Sequence, residues 1–220
     1  REVSESRGLG DVYKRQVKAV PNFGYEFSHW SEPSYDDSVT LYLDQDMSLV
    51  ANFMDVQNPY QDMISINEIN YNSSDDFDPG DWVELYNFSD QSLNISGWKF
   101  MDSDDSHVFT FPEGSILEAS SYLVLCQDST EFSQAHPEVQ NFIGSLDFGF
   151  SGSGELLRLL DNYEDLVDFV NYEDNEPWPT EPDGSGKTLE LVHPQLDNSL
   201  AESWAWLLYT SPSPRDSDTS

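Results

Sequence analysis

Short apolar stretches recur between turn-rich gaps from residue 64 to residue 192, and this recurrence limits the fold more than any other feature. Nine stretches follow this pattern: 64–69, 82–86, 96–100, 108–111, 122–126, 142–143, 155–160, 166–172 and 189–192. Stretches of this length, bounded by Gly, Pro, Asn and Asp, are typical of strands joined by turns. The pattern predicts an all-β domain, built as an antiparallel sandwich or barrel.

The region from 155 to 172 has a second interpretation. Its apolar residues also recur at helical spacing, so one amphipathic helix would satisfy the same pattern. Residues 161–165 read Asp-Asn-Tyr-Glu-Asp, which favours a turn. The second half of the region is rich in β-branched and aromatic residues. We therefore predict a hairpin.

A smaller β unit precedes this domain, over residues 17–54. It contains strand-like stretches at 17–21, 39–43 and 48–53, and we expect Phe27 and Trp30 to anchor its core. About 38 residues is too few for robust stability in isolation. The polar segment 55–62 follows and is predicted to be a linker to the larger domain, 63–205.

The two ends of the chain differ from the rest. Residues 1–16 and 206–220 resemble translated sequencing-adapter sequence. We expect both segments to be artificial or disordered, and they take no part in the fold prediction. The chain is accordingly expected to be an internal piece of a longer protein.

Charge narrows the classes of partner. The chain has 42 acidic and 9 basic residues, a formal net charge of -33. Lys and Arg supply most of the affinity for phosphate groups, so we expect neither nucleic-acid binding nor attraction to an anionic membrane surface. No run of about 18 apolar residues predicts a membrane span. Aromatic residues make up 14% of the chain, which argues against a disordered acidic tail.

The sequence carries no complete catalytic motif. His29, His107, His136 and His193 show no metal-ligand spacing. The glycine-rich stretches 151–154 and 184–187 do not match a phosphate-binding loop and are predicted to be turns. We therefore expect no enzymatic activity.

Two loops gather carboxylates. The first contains Asp75, Asp76, Asp78 and Asp81, and the second spans residues 102–105. Ca²⁺ prefers several oxygen ligands, so the four aspartates of the first loop are candidate calcium ligands. The alternative is a solvated acidic surface without a defined metal site.

One aromatic residue is a candidate platform for a sugar. Trp178 lies between Pro177 and Pro179 in a predicted loop, where we expect it to be exposed. An exposed indole presents an apolar face on which a ligand can stack. The alternative is that Trp178 anchors its own loop.

Three segments of the larger domain resemble the lamin tail domain in its bacterial form: INEINY at 66–71, GDWVELYN at 80–87 and LNISGW at 93–98. Later landmarks are also similar: YLVL at 122–125, SGSGELLRLL at 151–160, LVD at 166–168 and ESWA at 202–205. The resemblance covers about residues 64–205 and implies an immunoglobulin-like β-sandwich. It also implies an extracellular module of the kind attached to bacterial nucleases, phosphatases and spore-coat-H-type kinase-like proteins.

The smaller unit resembles a bacterial surface repeat of the internalin-B type, through AVPN at 19–22, GYEFSHW at 24–30 and ANF at 51–53. Together the two resemblances imply a non-catalytic binding or spacer module of a secreted or surface-attached bacterial protein. They imply that the parent protein has further domains, and that the partner is an extracellular protein or glycan. The alternatives are an accessory domain of a secreted nuclease, phosphatase or kinase-like protein, and a carbohydrate-binding module.

Overall fold

A computed structural model describes residues 13–21, 25–31, 34–43, 46–55 and 58–208. The chain divides into two compact units between residues 57 and 58. Most of the two predicted end segments, at 1–12 and 209–220, lies outside the described residues, as do residues 22–24 of the smaller β unit.

The described residues of the first unit form four strands: β1 (Tyr13–Lys18), β2 (Tyr25–Trp30), β3 (Ser38–Leu43) and β4 (Ala51–Asp55). β1 pairs with β3 and β2 pairs with β4, both antiparallel. β1 begins inside the predicted end segment 1–16, because residues 13–16 pair with residues 40–43. Trp30 is buried and its indole Nε1 donates to the Asp36 carbonyl at 2.9 Å. The Phe27 ring packs against it, with centroids 5.3 Å apart.

The second unit contains β5 (Ile64–Asn70), β6 (Trp82–Asn87), β7 (Leu93–Asn94), β8 (Lys99–Met101), β9 (Val108–Thr110), β10 (Ile116–Leu117), β11 (Ser121–Cys126), α1 (Ser129–Ala135), β12 (Phe142–Gly144), β13 (Glu155–Leu160), β14 (Leu166–Tyr172), β15 (Lys187–Leu191) and β16 (Trp204–Leu208). Each of the nine predicted stretches overlaps one of these strands. The predicted all-β fold is therefore confirmed.

Two sheets form the sandwich. The larger has the strand order β12-β11-β6-β5-β15-β16, and the smaller has the order β14-β13-β8-β9. β7 and β10 form a separate short pair. β11 and β12 are parallel, and α1 makes the crossover between them. Neighbouring strands elsewhere in the two sheets are antiparallel.

The core lies between the two sheets. Alternation along β6 points Val83 and Leu85 into it, and alternation along β13 does the same for Leu157 and Leu159. Trp98 enters the core directly after Gly97, whose φ of +76° favours a residue without a Cβ atom. Burying such large apolar side chains supplies most of the driving force for folding.

Residues 155–172 form the predicted hairpin. β13 and β14 pair antiparallel along their length, with one register shift near the turn. The Asp161 side chain accepts from the backbone N–H groups of Tyr163 and Asp165, at 2.8 and 3.0 Å. These bonds stabilise the turn, which is why the strand interpretation is correct here.

The elements that the sequence analysis missed are short or near an end. α1 has seven residues with Phe132 as its buried one, so it shows no helical periodicity. β7 and β10 have two residues each. β16 continues to Leu208, beyond the predicted boundary at 205, because its backbone pairs with all of β15.

The predicted linker, 55–62, is divided in the structure. Residue 55 ends β4, whereas residues 58–62 pack on the sandwich. The Asn58 amide donates to Asp161 Oδ2 at 3.0 Å, and the Tyr60 ring lies 4.9 Å from the Trp98 ring. No helix in the described part of the chain has the length and apolar character needed to span a membrane.

Candidate functional site

The loop between β5 and β6, residues 71–81, carries the predicted calcium ligands. At its base the Asn70 amide donates to Ser73 Oγ and to the Gly80 carbonyl, at 2.9 and 3.0 Å. Ser74 and Phe77 form an isolated β-bridge that closes a tight turn. The turn places Asp75 and Asp76 at its tip, where both are exposed.

The four candidate ligands do not all face the same way. Asp78 is exposed and accepts from the Gly80 N–H at 2.9 Å. Asp81 instead turns toward the segment before β13, and its Oδ2 accepts from the Phe150 N–H at 2.6 Å. Burial raises the pKa of Asp81 to about 6. Among the described residues, no three acidic, imidazole or thiol side chains are arranged to hold a metal ion.

A second loop lies beside the first. The Asn72 amide donates to Asp183 Oδ1 at 2.5 Å, and the Gly184 N–H donates back to the Asn72 carbonyl at 3.0 Å. The connection between β14 and β15, residues 173–186, therefore adjoins residues 71–81. We call these two loops the acidic end, because they carry nine acidic and no basic residues.

A small cavity lies under the acidic end. Its volume is about 10 Å³, and it is lined by Asn70, Ser73, Phe77, Pro79, Trp82 and Gly186. A volume of this size holds about one water molecule. A ligand larger than a water molecule would therefore not fit in this cavity.

The second predicted acidic cluster, residues 102–105, stabilises the turn between β8 and β9. The buried Asp102 carboxylate accepts from the Asp104 N–H and contacts His107 Nδ1, both at 2.7 Å. Asp105 forms an ion pair with Arg158 at 2.8 Å. These carboxylates face different partners. Their contribution to the stability of the turn therefore explains why acidic residues occur together here.

The structure pairs Asp102 with His107, a contact that the sequence analysis missed. The His107 ring also stacks on Phe148, with centroids 5.1 Å apart and planes 6° from parallel. The hydrogen bond to Asp102 raises the pKa of His107. A buried carboxylate in this position fixes the imidazole and favours its charged form. Their spacing of five residues matches no known motif, so only the turn geometry shows the pair.

Asp168 is another carboxylate whose role the sequence did not reveal. Its Oδ2 accepts from the Ile66 N–H of β5 at 2.6 Å and from the Asn198 amide at 2.8 Å. Burial raises the pKa of Asp168 to about 7. The side chain thus joins β14 to β5 and to the segment before β16.

The prediction that Trp178 is exposed is wrong. The residue is 7% exposed and belongs to the core, where its ring lies 6.1 Å from that of Trp204. The loop at 173–186 folds so that Pro177 is exposed and Pro179 half-buried, whereas the indole lies inside. A ring enclosed in this way offers no face for a sugar, so its role as a loop anchor is the better interpretation.

The four basic side chains between residues 17 and 206 all contact acidic or aromatic groups. Lys18 pairs with Asp37 at 3.3 Å, and Lys99 pairs with Glu164. Arg158 pairs with Asp105, and Lys187 Nζ lies 3.5 Å from the Trp206 ring centroid. None of these four lies in the acidic end, so its charge is not neutralised from within those loops.

Comparison with known proteins gives one family match and a distant structural neighbour. The sequence model of the family described as Lamin Tail Domain matches residues 57–174, more than half of the chain. No curated protein matches the chain. The crystal structure of a DUF4876 family protein from Bacteroides thetaiotaomicron VPI-5482 is similar at 12% identity and a TM-score of 0.32. That match covers 92% of this chain and 64% of the other, less than two thirds of its length.

Proposed function

The chain belongs to the lamin tail domain family, and from that premise we propose that it is a non-catalytic binding or spacer module of a larger extracellular bacterial protein. The observation that carries this proposal is the acidic end. Two adjoining loops, 71–81 and 173–186, carry nine acidic residues and no basic residue, and only Asp81 of the first loop turns inward. Exposed loops held by a rigid sandwich are where binding residues concentrate.

The chemistry of the acidic end favours a positively charged partner. Carboxylates of one sign on neighbouring loops create a local potential that attracts cations and repels nucleic acid. Complementary charge also raises the association rate of protein partners. We propose a basic surface or segment of an extracellular protein as the partner.

Binding of a lysine-rich peptide to the full chain tests this proposal. We expect the triple variant Asp75→Asn, Asp76→Asn, Asp78→Asn to bind the peptide more weakly than the unaltered chain in biolayer interferometry at physiological salt. A control variant removes the same charge from exposed residues elsewhere: Asp90→Asn, Glu113→Gln, Asp165→Asn. Equal weakening in both variants would show that net charge alone drives binding. It would exclude a specific role of the acidic end in binding the peptide.

The non-catalytic part of the proposal has its own test. The purified chain should not hydrolyse DNA or a chromogenic phosphate ester above the rate of a blank. Turnover that survives repeated purification would contradict the non-catalytic proposal.

The alternative is an accessory role beside a nuclease, phosphatase or kinase-like domain. Long sequencing reads across both ends of the source DNA would show whether such a domain shares the reading frame.

Calcium binding is a second proposal for the same loop, and it requires the loop to rearrange, because its carboxylates are not arranged around a metal position in the described structure. The exposed carboxylates of Asp75, Asp76 and Asp78 are the candidate ligands that face solvent. A ligand that binds only the native state stabilises it by mass action, so millimolar Ca²⁺ should raise the melting temperature more than NaCl of equal ionic strength. The triple variant should lose this excess. Identical shifts in melting temperature with both salts would show that this loop has no specific calcium site.

A further inference from the structure

Asp183 and Gly184, in the loop between β14 and β15, form the one Asp-Gly pair of the chain. An Asp-Gly pair isomerises readily, because glycine has no side chain to shield its backbone nitrogen from the preceding carboxyl group. The glycine nitrogen bonds to the aspartate Cγ atom, and the carboxyl hydroxyl leaves with the amide proton as water. Water then reopens the five-membered ring at either carbonyl, which gives aspartate or isoaspartate. One water molecule is released and one is consumed, so the reaction needs no other partner.

Asn72, in the loop between β5 and β6, binds both groups that this reaction joins. Its side-chain amide donates to Asp183 Oδ1 at 2.5 Å, and its backbone carbonyl accepts from the Gly184 N–H at 3.0 Å. A Cβ atom added to Gly184 would lie 3.6 Å from the Asn72 amide nitrogen, so this side chain also packs on the glycine. The carboxyl group and the nitrogen cannot turn toward each other without breaking one of these bonds.

The surroundings of the pair leave it open to water. Asp183 and Gly184 are both exposed, so water can reach the ring and reopen it. The loop contacts its neighbour again two residues later, where a Cβ atom added to Gly186 would lie 3.3 Å from Ser74 Oγ. The contact with Asn72 is therefore part of the junction that joins the two loops of the acidic end.

We propose that Asp183 and Gly184 are a site of spontaneous isomerisation which Asn72 holds closed, and that isoaspartate at residue 183 separates the two loops of the acidic end. Isoaspartate adds one methylene group to the main chain and attaches the carboxylate directly to Cα. Asn72 could then no longer bind residues 183 and 184 together. The proposal does not depend on which partner the acidic end binds.

The rate of isomerisation should follow the population in which Asn72 has released the pair. The reaction requires the nitrogen and the carboxyl carbon to be in contact, and the bonds to Asn72 oppose that geometry. Local opening of the loop supplies the reactive state. A hydrogen bond to a charged group changes such a population by about a factor of ten or more. Loss of the Asn72 amide should therefore speed the reaction by about that factor.

Storage of the full chain at mildly acidic pH tests the proposal, because a protonated carboxyl group can lose its oxygen as water. Peptide mapping then measures isoaspartate at residue 183, which has the mass of aspartate but a different retention time and different electron-transfer fragments. We expect the folded chain to form isoaspartate about tenfold or more slowly than the chain in urea. Equal rates in the two states would overturn the proposal.

A pair of variants identifies the residue responsible. Asn72→Ala removes the side-chain amide, and we expect it to isomerise about tenfold faster than the unaltered chain. Asn175→Ala is the matched control, because the Asn175 amide makes the same kind of contact with the neighbouring Asp174, at 3.0 Å from Oδ1. The control should react like the unaltered chain. Equal rates in the two variants would overturn the proposal.

The unaltered chain provides a further test that needs no variant. Amide hydrogen exchange, followed by NMR, should show protection at Gly184, and the isolated isoaspartate form should lose that protection and shift the Asn72 side-chain signals. Exchange of Gly184 at its intrinsic rate in the unaltered chain would overturn the proposal, even if Asn72→Ala failed to fold. Unchanged Asn72 and Gly184 signals in the isoaspartate form would overturn the separation of the loops.

Discussion

Two aspartates of the sandwich have carboxyl groups that the fold removes from water. Burial raises the pKa of Asp168 to about 7 and that of Asp81 to about 6, from an ordinary value of 3.8. The native state therefore binds more protons than the unfolded chain between about pH 4 and about pH 7. Over this window each group makes the free energy of unfolding decrease as the pH rises.

Asp168→Asn should reduce this pH dependence. Asparagine keeps an acceptor oxygen for the Ile66 N–H but cannot ionise, so it avoids the cost of a buried charge at neutral pH. We expect the unaltered chain to be less stable in urea at about pH 8 than at about pH 5, and the variant to show a smaller difference. Asp90→Asn, at an exposed position, should leave the difference unchanged. A difference of the same size in both variants would contradict this assignment.

Trp178→Ala tests the structural role of a residue first considered a sugar platform. Trp178 is 7% exposed, whereas Trp206, a matched control, is 44% exposed. Truncating a buried tryptophan costs about 3 kcal/mol or more, so Trp178→Ala should lower the unfolding free energy by about that amount. Trp206→Ala should cost about 1 kcal/mol or less. Urea unfolding measures both, and similar costs would contradict the burial of Trp178.

At the scale of elements, the residue that precedes a strand can determine how closely two strands approach each other. β13 begins directly after Gly154, whose φ is +99°. A Cβ atom at this position would lie 2.7 Å from the Tyr172 carbonyl oxygen, at the end of the partner strand β14. Gly154 therefore provides both an unusual backbone angle and the space for the two strands to approach.

Gly154→Ala and Gly114→Ala separate these two effects. Gly114 also has a positive φ, of +87°, but no atom lies within 4 Å of its added Cβ. Gly114→Ala should cost about 1 kcal/mol for the backbone angle alone. Gly154→Ala should cost about 3 kcal/mol, because the clash with β14 adds to the strain. Thermal melting of both variants measures the difference, and equal costs would show that space does not matter at Gly154.

The strands could be predicted from the sequence because each one carries its own signal of alternation and flanking turns. Residues 155–172 show this, since the Asp161 turn resolves the ambiguity with a helix. The site contacts have no such local signal. Asp168 and Ile66 are 102 positions apart, and the burial of Trp178 depends on Trp204. Asp102 and His107 are close in sequence, yet their contact depends on a turn that only the folded chain specifies.

At the scale of the whole molecule, the net charge of -33 opposes the compact state. Bringing many carboxylates together raises their mutual repulsion, and the four basic residues between 17 and 206 neutralise few of them. Salt screens this repulsion. The distance over which two charges interact falls from about 30 Å at 0.01 M salt to about 10 Å at 0.1 M salt. The stability of the chain should therefore depend on ionic strength.

We expect the melting temperature to rise by several degrees between about 0.01 M and about 0.1 M NaCl, measured by calorimetry. The variant Asp75→Asn, Asp76→Asn, Asp78→Asn should show a smaller rise, because it carries less negative charge at the acidic end. Choline chloride should act like NaCl if screening is the cause. A melting temperature that does not respond to either salt would contradict charge repulsion as a significant term.

The place of β5 in the larger sheet has a consequence for biosynthesis. β5 lies between β6, which follows it closely, and β15, whose Thr188 is 120 positions from Glu68. A ribosome must therefore release almost the whole domain before β5 gains its second neighbour, and such long-range closure slows folding. The family match ends at 174, before β15. A fragment cut there would expose β5 as an open edge, prone to aggregate during expression.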